Sequence, residues 1–61
     1  MYKIHYTDPA GNVCVDDIIA SGDQNAVDEY NKIRKANPDC RDWELLKFIG
    51  TRKPIKLAAH A

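Results

Sequence analysis

The sequence has no long apolar run, no export signal and no excess of charge of one sign. No stretch approaches the roughly 20 apolar residues that a membrane-spanning helix requires, and the first six residues lack the apolar core of a secretory leader. Nine basic residues balance nine acidic ones, and hydrophobic residues make up 44% of the chain. We therefore expect a globular, cytoplasmic protein without a membrane partner.

The chain is also shorter than most enzyme folds require. With 61 residues it can form one domain, which excludes a barrel or a Rossmann unit with its own substrate domain. In a domain of this size, the gain from burying apolar surface nearly cancels the loss of conformational entropy. Small domains therefore often depend on a disulfide, a bound metal or association with a second copy.

Cysteine and histidine are too sparse to favour a disulfide scaffold or a metal site. The two cysteines, Cys14 and Cys40, occur without an export signal, so we expect reduced thiols. Neither they nor His5 and His60 show the close pair spacing of zinc ligands. We predict no metal and no other cofactor, which leaves a homodimer as the expected source of additional stability.

Residue patterns typical of catalysis are weak. The one serine, Ser21, has Gln24 three residues later, which is the spacing of a helix capping box. Asp16 and Asp17 are adjacent in a predicted strand, so their side chains would point to opposite faces. The three glycines are isolated and form no phosphate-binding loop. We predict a protein that is not an enzyme, with no catalytic residues and no small-molecule substrate.

The first twenty residues predict a β-hairpin. Residues 2–7 alternate between apolar and polar side chains, as a half-buried strand does. Residues 8–12 contain Asp, Pro, Gly and Asn, which favour a tight turn, and residues 13–20 resume strand character. The alternation slips across Asp16 and Asp17, so we predict a β-bulge there that returns the following isoleucines to the core.

The rest of the chain predicts one helix and further strands. An apolar stripe indicates a helix over residues 24–37, which Pro38 ends. Residues 42–50 fit a strand or a short helix, and we favour the strand because a hairpin with one helix makes a poor core. Residues 55–57 alternate and could add a fourth strand, and residues 58–61 form a frayed tail.

These elements predict a small α+β domain over residues 1–57. Its order is ββαβ, with a three-stranded or four-stranded sheet and one helix packed on one face. Leu46 and Phe48 would lie on the face that the helix leaves open, where they form an apolar patch unless residues 55–57 cover them. The predicted core comprises Tyr2, Ile4, Tyr6, Val13, Ile19, Val27, Tyr30, Ile33, Leu45 and Ile49.

Charge is distributed unevenly along the chain. Residues 1–30 carry six acids and one lysine, whereas residues 31–61 carry eight bases and three acids. Three interpretations follow: the two halves pair within the fold, they recognise a protein, or the basic half binds nucleic acid. The candidate protein-binding residues are Trp43, Leu46, Phe48, Arg52 and Lys53. The candidate nucleic-acid-binding residues are Arg41, Lys47, Arg52, Lys53 and Lys56, with Trp43 or Phe48 as stacking platforms.

The sequence carries no motif of a family that we recognise. Its small size and its lack of catalytic residues are shared with many short orphan chains of bacterial mobile elements, which bind and block a host protein. This analogy concerns size and the lack of catalytic residues, and it assigns a role to no residue. The expected function is therefore a non-catalytic protein-protein interaction or inhibitor module that acts as a homodimer, and the alternative is a small nucleic-acid-binding module.

Overall fold

Two β-hairpins and one helix account for residues 1–60, the part of the chain that the computed structural model describes. The predicted α+β class and the ββαβ order are confirmed, with a fourth strand completing the sheet. The ambiguous segment 42–50 contributes a strand, as predicted. The elements are β1 (Tyr2–Thr7), β2 (Val13–Ile18), α1 (Asp23–Ala36), β3 (Arg41–Lys47) and β4 (Ile55–His60).

The sheet has the strand order β2-β1-β3-β4, and every neighbouring pair is antiparallel. β1 and β3 are therefore the central strands, and β2 and β4 are the edges. One row of paired residues crosses all four strands, namely Ile18, Tyr2, Lys47 and Ile55. The helix packs against β3 and β4 on one face and leaves the opposite face open.

The core lies between the helix and the covered face of the sheet. Tyr30 and Ala26 are the fully buried helix residues, and Ile4 and Leu45 are fully buried on the central strands. Aromatic rings fill the space between them, since Trp43 meets the edge of the Tyr30 ring at a centroid distance of 6.1 Å. Tyr2, Ile18 and Trp43 complete the buried set, against which Tyr6, Val27 and Ile33 pack.

β2 presents the opposite face from the one that the sequence predicts. It pairs with β1 without a register shift, so the predicted bulge at residues 16–17 is wrong. The turn at residues 8–12 sets Thr7 opposite Val13, and strand alternation then places Val13 on the open face and Ile18 in the core. Val13 is 73% exposed and Ile19 is 98% exposed. Their assignment to the core, like that of the exposed Ile49, was wrong.

Bulges do occur in this sheet, but on the other side of β1. Between the first and third strands the register shifts so that Asp42 and Trp43 together face Tyr6. Asp42 has φ 57°, the left-handed conformation that one common bulge type requires at its first position. A second shift leaves Leu57 as the extra residue of β4. The first bulge turns Arg41 to the open face while Trp43 stays in the core.

The helix begins without the predicted capping box. Gly22 occupies the N-cap position with extended backbone, and no side chain caps the first turn. Ser21 instead donates its backbone N–H to the Asn25 side chain, over 3.3 Å. The end of the helix is as predicted, because it stops at Ala36, two residues before the proline.

The predicted frayed tail needs correction for residues 58–60. These residues belong to β4, where Ala58 pairs with Leu45 and extends the ladder of the central strand. The His60 ring stacks on Tyr30 at a centroid distance of 5.5 Å, so the strand end is held by the core. The domain therefore includes residues 58–60 as well as residues 1–57, and Ala61 lies outside the described residues.

The faces of β2 lead to a stability prediction on two adjacent isoleucines. Ile18→Ala should lower the free energy of unfolding by about 2 kcal/mol or more, because it opens a cavity in the core. Ile19→Ala should change it by less than about 0.5 kcal/mol, because that side chain is exposed. Urea denaturation of both variants measures the difference. Similar losses for the two variants would contradict this register.

Candidate functional site

Trp43 does not belong to the surface that the sequence proposed for it. It is 4% exposed, its ring stacks on Tyr6 at 4.4 Å, and its indole N–H donates to the Cys40 carbonyl over 3.1 Å. The alternation of β3 places Trp43 on the covered face, where the helix residue Tyr30 meets it. Its assignment as an exposed anchor or stacking platform is therefore wrong.

Leu46 and Phe48 lie on the open side of the sheet, as expected, and both are half-buried. Lys56 pairs beside Leu46 in the sheet, so β4 lies alongside these residues and does not fold back over them. The ammonium of Lys3 lies 5.7 Å from the centre of the Phe48 ring. The Lys3 side chain thus shields part of this patch, and the most exposed apolar residues of the protein lie elsewhere.

The five candidate nucleic-acid-binding cations do not form one patch. Arg41 and Lys47 lie at opposite ends of β3, about 20 Å apart at the rise of a strand. Arg41 pairs with Asp42 at 3.6 Å, and Lys47 pairs with Asp23 at 2.8 Å. Lys56 similarly pairs with Glu44 at 3.2 Å. Among residues 1–60, only Arg52 and Lys53 of this set have no carboxylate within ion-pair distance.

Most of the exposed apolar side chains lie at one end of the sheet, next to the last row of paired residues. Beyond the row formed by Ile18, Tyr2, Lys47 and Ile55, the chain continues outward to Ile19, Met1 and Phe48. Phe48 donates its backbone N–H to the Met1 carbonyl over 2.8 Å, which extends the ladder by one step. We call this surface the apolar end and define it by Met1, Ile19, Phe48, Ile49 and Ile55.

The apolar end holds four of the six large apolar side chains that are exposed in the described part of the chain. Ile19 and Met1 are the most exposed, at 98% and 74%. Scattered single apolar residues need no explanation, whereas a group of them at one end of a sheet is a candidate contact surface. The β3–β4 turn places the two unpaired cations, Arg52 and Lys53, beside it.

Sequence reasoning found only part of this surface. It identified Phe48, Arg52 and Lys53, but it assigned Ile19 to the core because a bulge in β2 was expected. It assigned Ile49 to the core because strand alternation sets it on the face of Trp43 and Leu45. An unbroken alternation from Val13 places Val13 and Ile19 on the same face of β2. What the pattern lacks is the register that selects between the two faces.

A cluster of polar side chains, Tyr2, Asp23 and Lys47, lies next to the apolar end. The Tyr2 hydroxyl donates to Asp23 over 2.6 Å, and the Lys47 ammonium donates to the same carboxylate oxygen over 2.8 Å. The hydrogen bond from Lys47, and to a smaller extent that from Tyr2, lowers the pKa of Asp23. The same hydrogen bonds raise the pKa of Lys47 and of Tyr2. The cluster ties the start of α1 to β1 and β3, so its residues serve the fold.

Three further titratable side chains are also held in structural contacts or buried. Tyr6 donates its hydroxyl to Asp16 over 2.9 Å, which raises the pKa of Tyr6 to about 12. Burial raises the pKa of the Cys40 thiol. The Tyr30 hydroxyl is buried without a partner in residues 1–60, and it lies inside the aromatic core. These residues contain no group of three side chains able to hold a metal ion.

Comparison with known proteins adds no functional assignment. No protein-family model matches this chain, and no curated protein or solved structure was found to match it. The helix among the described residues is too short and too polar to cross a membrane. The functional argument therefore depends on the geometry of the surface.

The Asp23 cluster predicts a specific loss of stability in acid. The pKa of Asp23 is lowered in the folded protein, so its contribution is present above the unfolded pKa and disappears as the pH falls through the lower, folded value. Asp23→Asn should therefore lower the urea midpoint at pH 7, and its deficit relative to wild type should shrink below about pH 4. Asp39→Asn, at an exposed acid outside the cluster, is the matched control. A deficit that does not change with pH would contradict this role.

The positions of the cysteines predict that they cannot bridge within one chain. Cys14 on β2 and Cys40 just before β3 are separated by β1, so two strand spacings of about 5 Å each lie between them. A disulfide needs α-carbons within about 7 Å. Mass spectrometry of the folded protein after mild oxidation should find no intrachain crosslink. An intrachain Cys14–Cys40 bridge formed without loss of the native spectrum would contradict the strand order.

Proposed function

We propose that this chain is a small non-catalytic protein-binding module that docks on another protein through its apolar end. The observation that carries this proposal is the exposure of Ile19 and Met1 next to Phe48 and Ile49 at one end of the sheet. A chain of this size has little apolar material to leave outside its core. Leaving these side chains in water therefore favours a contact that buries them.

The composition of the apolar end suits a protein partner. Burying a large aliphatic side chain contributes about 1.5–3 kcal/mol, so a few such residues are enough for specific binding. Protein interfaces combine an apolar centre with a polar rim. Arg52 and Lys53 supply that rim here, and they favour a partner with acidic groups around its own apolar site.

The nucleic-acid alternative receives less support from the same geometry. Three of its five cations are engaged with acids of the same chain, and they point to different faces or ends of the sheet. Arg52 and Lys53 alone would neutralise few phosphates, which gives weak and strongly salt-dependent binding. This alternative therefore remains as one outcome of the experiment below.

An inhibitor that acts by binding alone needs no catalytic residue. The titratable clusters in residues 1–60 are engaged in contacts that hold the strands and helix together, as with Asp23 and Tyr6. A module of this kind acts by covering a functional surface of its partner. We place this activity in the cytoplasm, where the reducing conditions suit two unbridged cysteines.

An affinity capture with matched variants tests the proposal. The tagged chain is incubated with lysate of cells that express it, in nuclease-treated and untreated halves, and the bound proteins are read by mass spectrometry. We expect wild type and Val13→Asp to retain the same protein from both halves. Ile19→Asp should lose it by at least about tenfold, because a carboxylate at the buried centre of a contact carries a desolvation cost.

The control and the contrary outcomes are defined by the structure. Val13 is also an exposed β-branched residue of β2, but it lies at the opposite end of the sheet. Equal capture by both aspartate variants would contradict docking at the apolar end. Recovery that disappears with nuclease would instead support the nucleic-acid alternative.

A further inference from the structure

We propose that a partner of the apolar end is a second copy of this chain, bound about a two-fold axis perpendicular to the sheet. This inference rests on the proposed function, because it names an occupant of the same surface. The argument comes from the distribution of charge along the apolar end, which makes that surface complementary to itself.

The two sides of the apolar end carry opposite charges. On the β2 side, Asp17 lies two residues before Ile19; its carboxylate is 3.6 Å from the Lys3 ammonium, yet its side chain stays 71% exposed and accessible to a second cation. On the β4 side, the turn between β3 and β4 carries Arg52 and Lys53, both exposed and without an ion pair among residues 1–60. The two sides are separated by three strand spacings, or about 14 Å. The apolar side chains lie between them.

Symmetry determines which sides meet when two such ends face each other. A two-fold axis perpendicular to the sheet reverses both the strand direction and the order of the strands. It therefore sets β2 of one copy opposite the β3–β4 turn of the other, and Asp17 meets Arg52 and Lys53 twice. A two-fold axis within the sheet, along the residue row, would instead set acid against acid and base against base.

The apolar residues are brought together by the same operation. Ile19 of one copy faces the Ile55 side of the second copy, while Met1, Phe48 and Ile49 approach the axis. Each contact then occurs twice, as in any interface with two-fold symmetry. Apolar groups at the centre and opposite charges at the rim form the arrangement that protein interfaces favour.

The size of the end limits the strength of this association. The molecule measures 32 × 21 × 17 Å, so any one of its sides offers only a few hundred Å² for contact. Interfaces of this size belong to weak and reversible complexes. We expect a dissociation constant of about 0.1 mM, so one chain can exchange its second copy for another protein.

Sedimentation equilibrium between about 10 µM and 1 mM tests the association. Wild type and Val13→Asp should show an average mass that rises with concentration from 6.9 kDa towards twice that value. Ile19→Asp should remain at 6.9 kDa, and circular dichroism should show that it stays folded, because Ile19 is exposed. A monomer over the whole range, or a dimer unaffected by Ile19→Asp, would overturn the inference.

Charge exchange tests the direction of the two-fold axis. Asp17→Lys alone and the double variant Arg52→Asp with Lys53→Asp should each raise the dissociation constant at least about threefold, because like charges then meet at the rim. The triple variant should return to within about twofold of wild type, because the pairs are restored with reversed sign. Failure of this rescue would overturn the perpendicular axis.

The two experiments separate this inference from the function beneath it. A chain that remains monomeric, but captures another protein through Ile19, would contradict the second copy and leave the proposed function intact. A chain that neither associates nor captures a protein would contradict both.

Discussion

One helix of 14 residues covers one face of a four-stranded sheet, and this limit determines where the other apolar side chains lie. The helix is about 21 Å long, close to the length of the strands, so it can cover them along their direction but not across the whole sheet. It packs over β3 and β4, where Tyr30 meets the ring of Trp43. The edge strand β2 contributes Ile18 to the core and leaves its other β-branched residues in water.

The register of the first hairpin is the feature that sequence patterns could not supply. In β1 the alternation is unambiguous, because every second residue is large and apolar. In β2 both faces carry β-branched residues, with Val13 and Val15 on one side and Ile18 on the other. A one-residue shift exchanges the two sets. Only the pairing of Thr7 with Val13 decides between them, and that pairing depends on the turn geometry.

Contacts between residues far apart in the sequence explain why the roles of Asp23 and Trp43 were not predicted. Asp23 lies in the first turn of α1, and its carboxylate accepts hydrogen bonds from Tyr2 and Lys47, which are 21 and 24 residues away. A local sequence pattern cannot predict a contact over such a distance along the chain. Trp43 is a similar case, because the rings that pack against it, those of Tyr6 and Tyr30, come from β1 and α1. By contrast, the α+β class and the helix stop at Pro38 follow from local rules, and they were predicted.

The ion pairs within the fold leave some charged side chains free for the proposed association. An acidic first half and a basic second half could neutralise each other inside the molecule, but the ion pairs of the described residues do this sparingly. Lys47–Asp23 and the local helix pair Lys32–Glu29 join the two halves, whereas the other pairs join residues of the same half.

Exposed charge of opposite sign therefore remains at the two sides of the apolar end, with Asp17 on β2, which also pairs with Lys3, and Arg52 and Lys53 beyond β3. Exposed pairs of this kind contribute little to the stability of one chain. In the proposed dimer they orient the two copies. Opposite charges at the two sides of the apolar end favour the approach in which the second copy has its strands in the reverse order. In the proposed dimer, a chain of zero net charge supplies both sides of a directional interface, because its second copy carries the complementary charges.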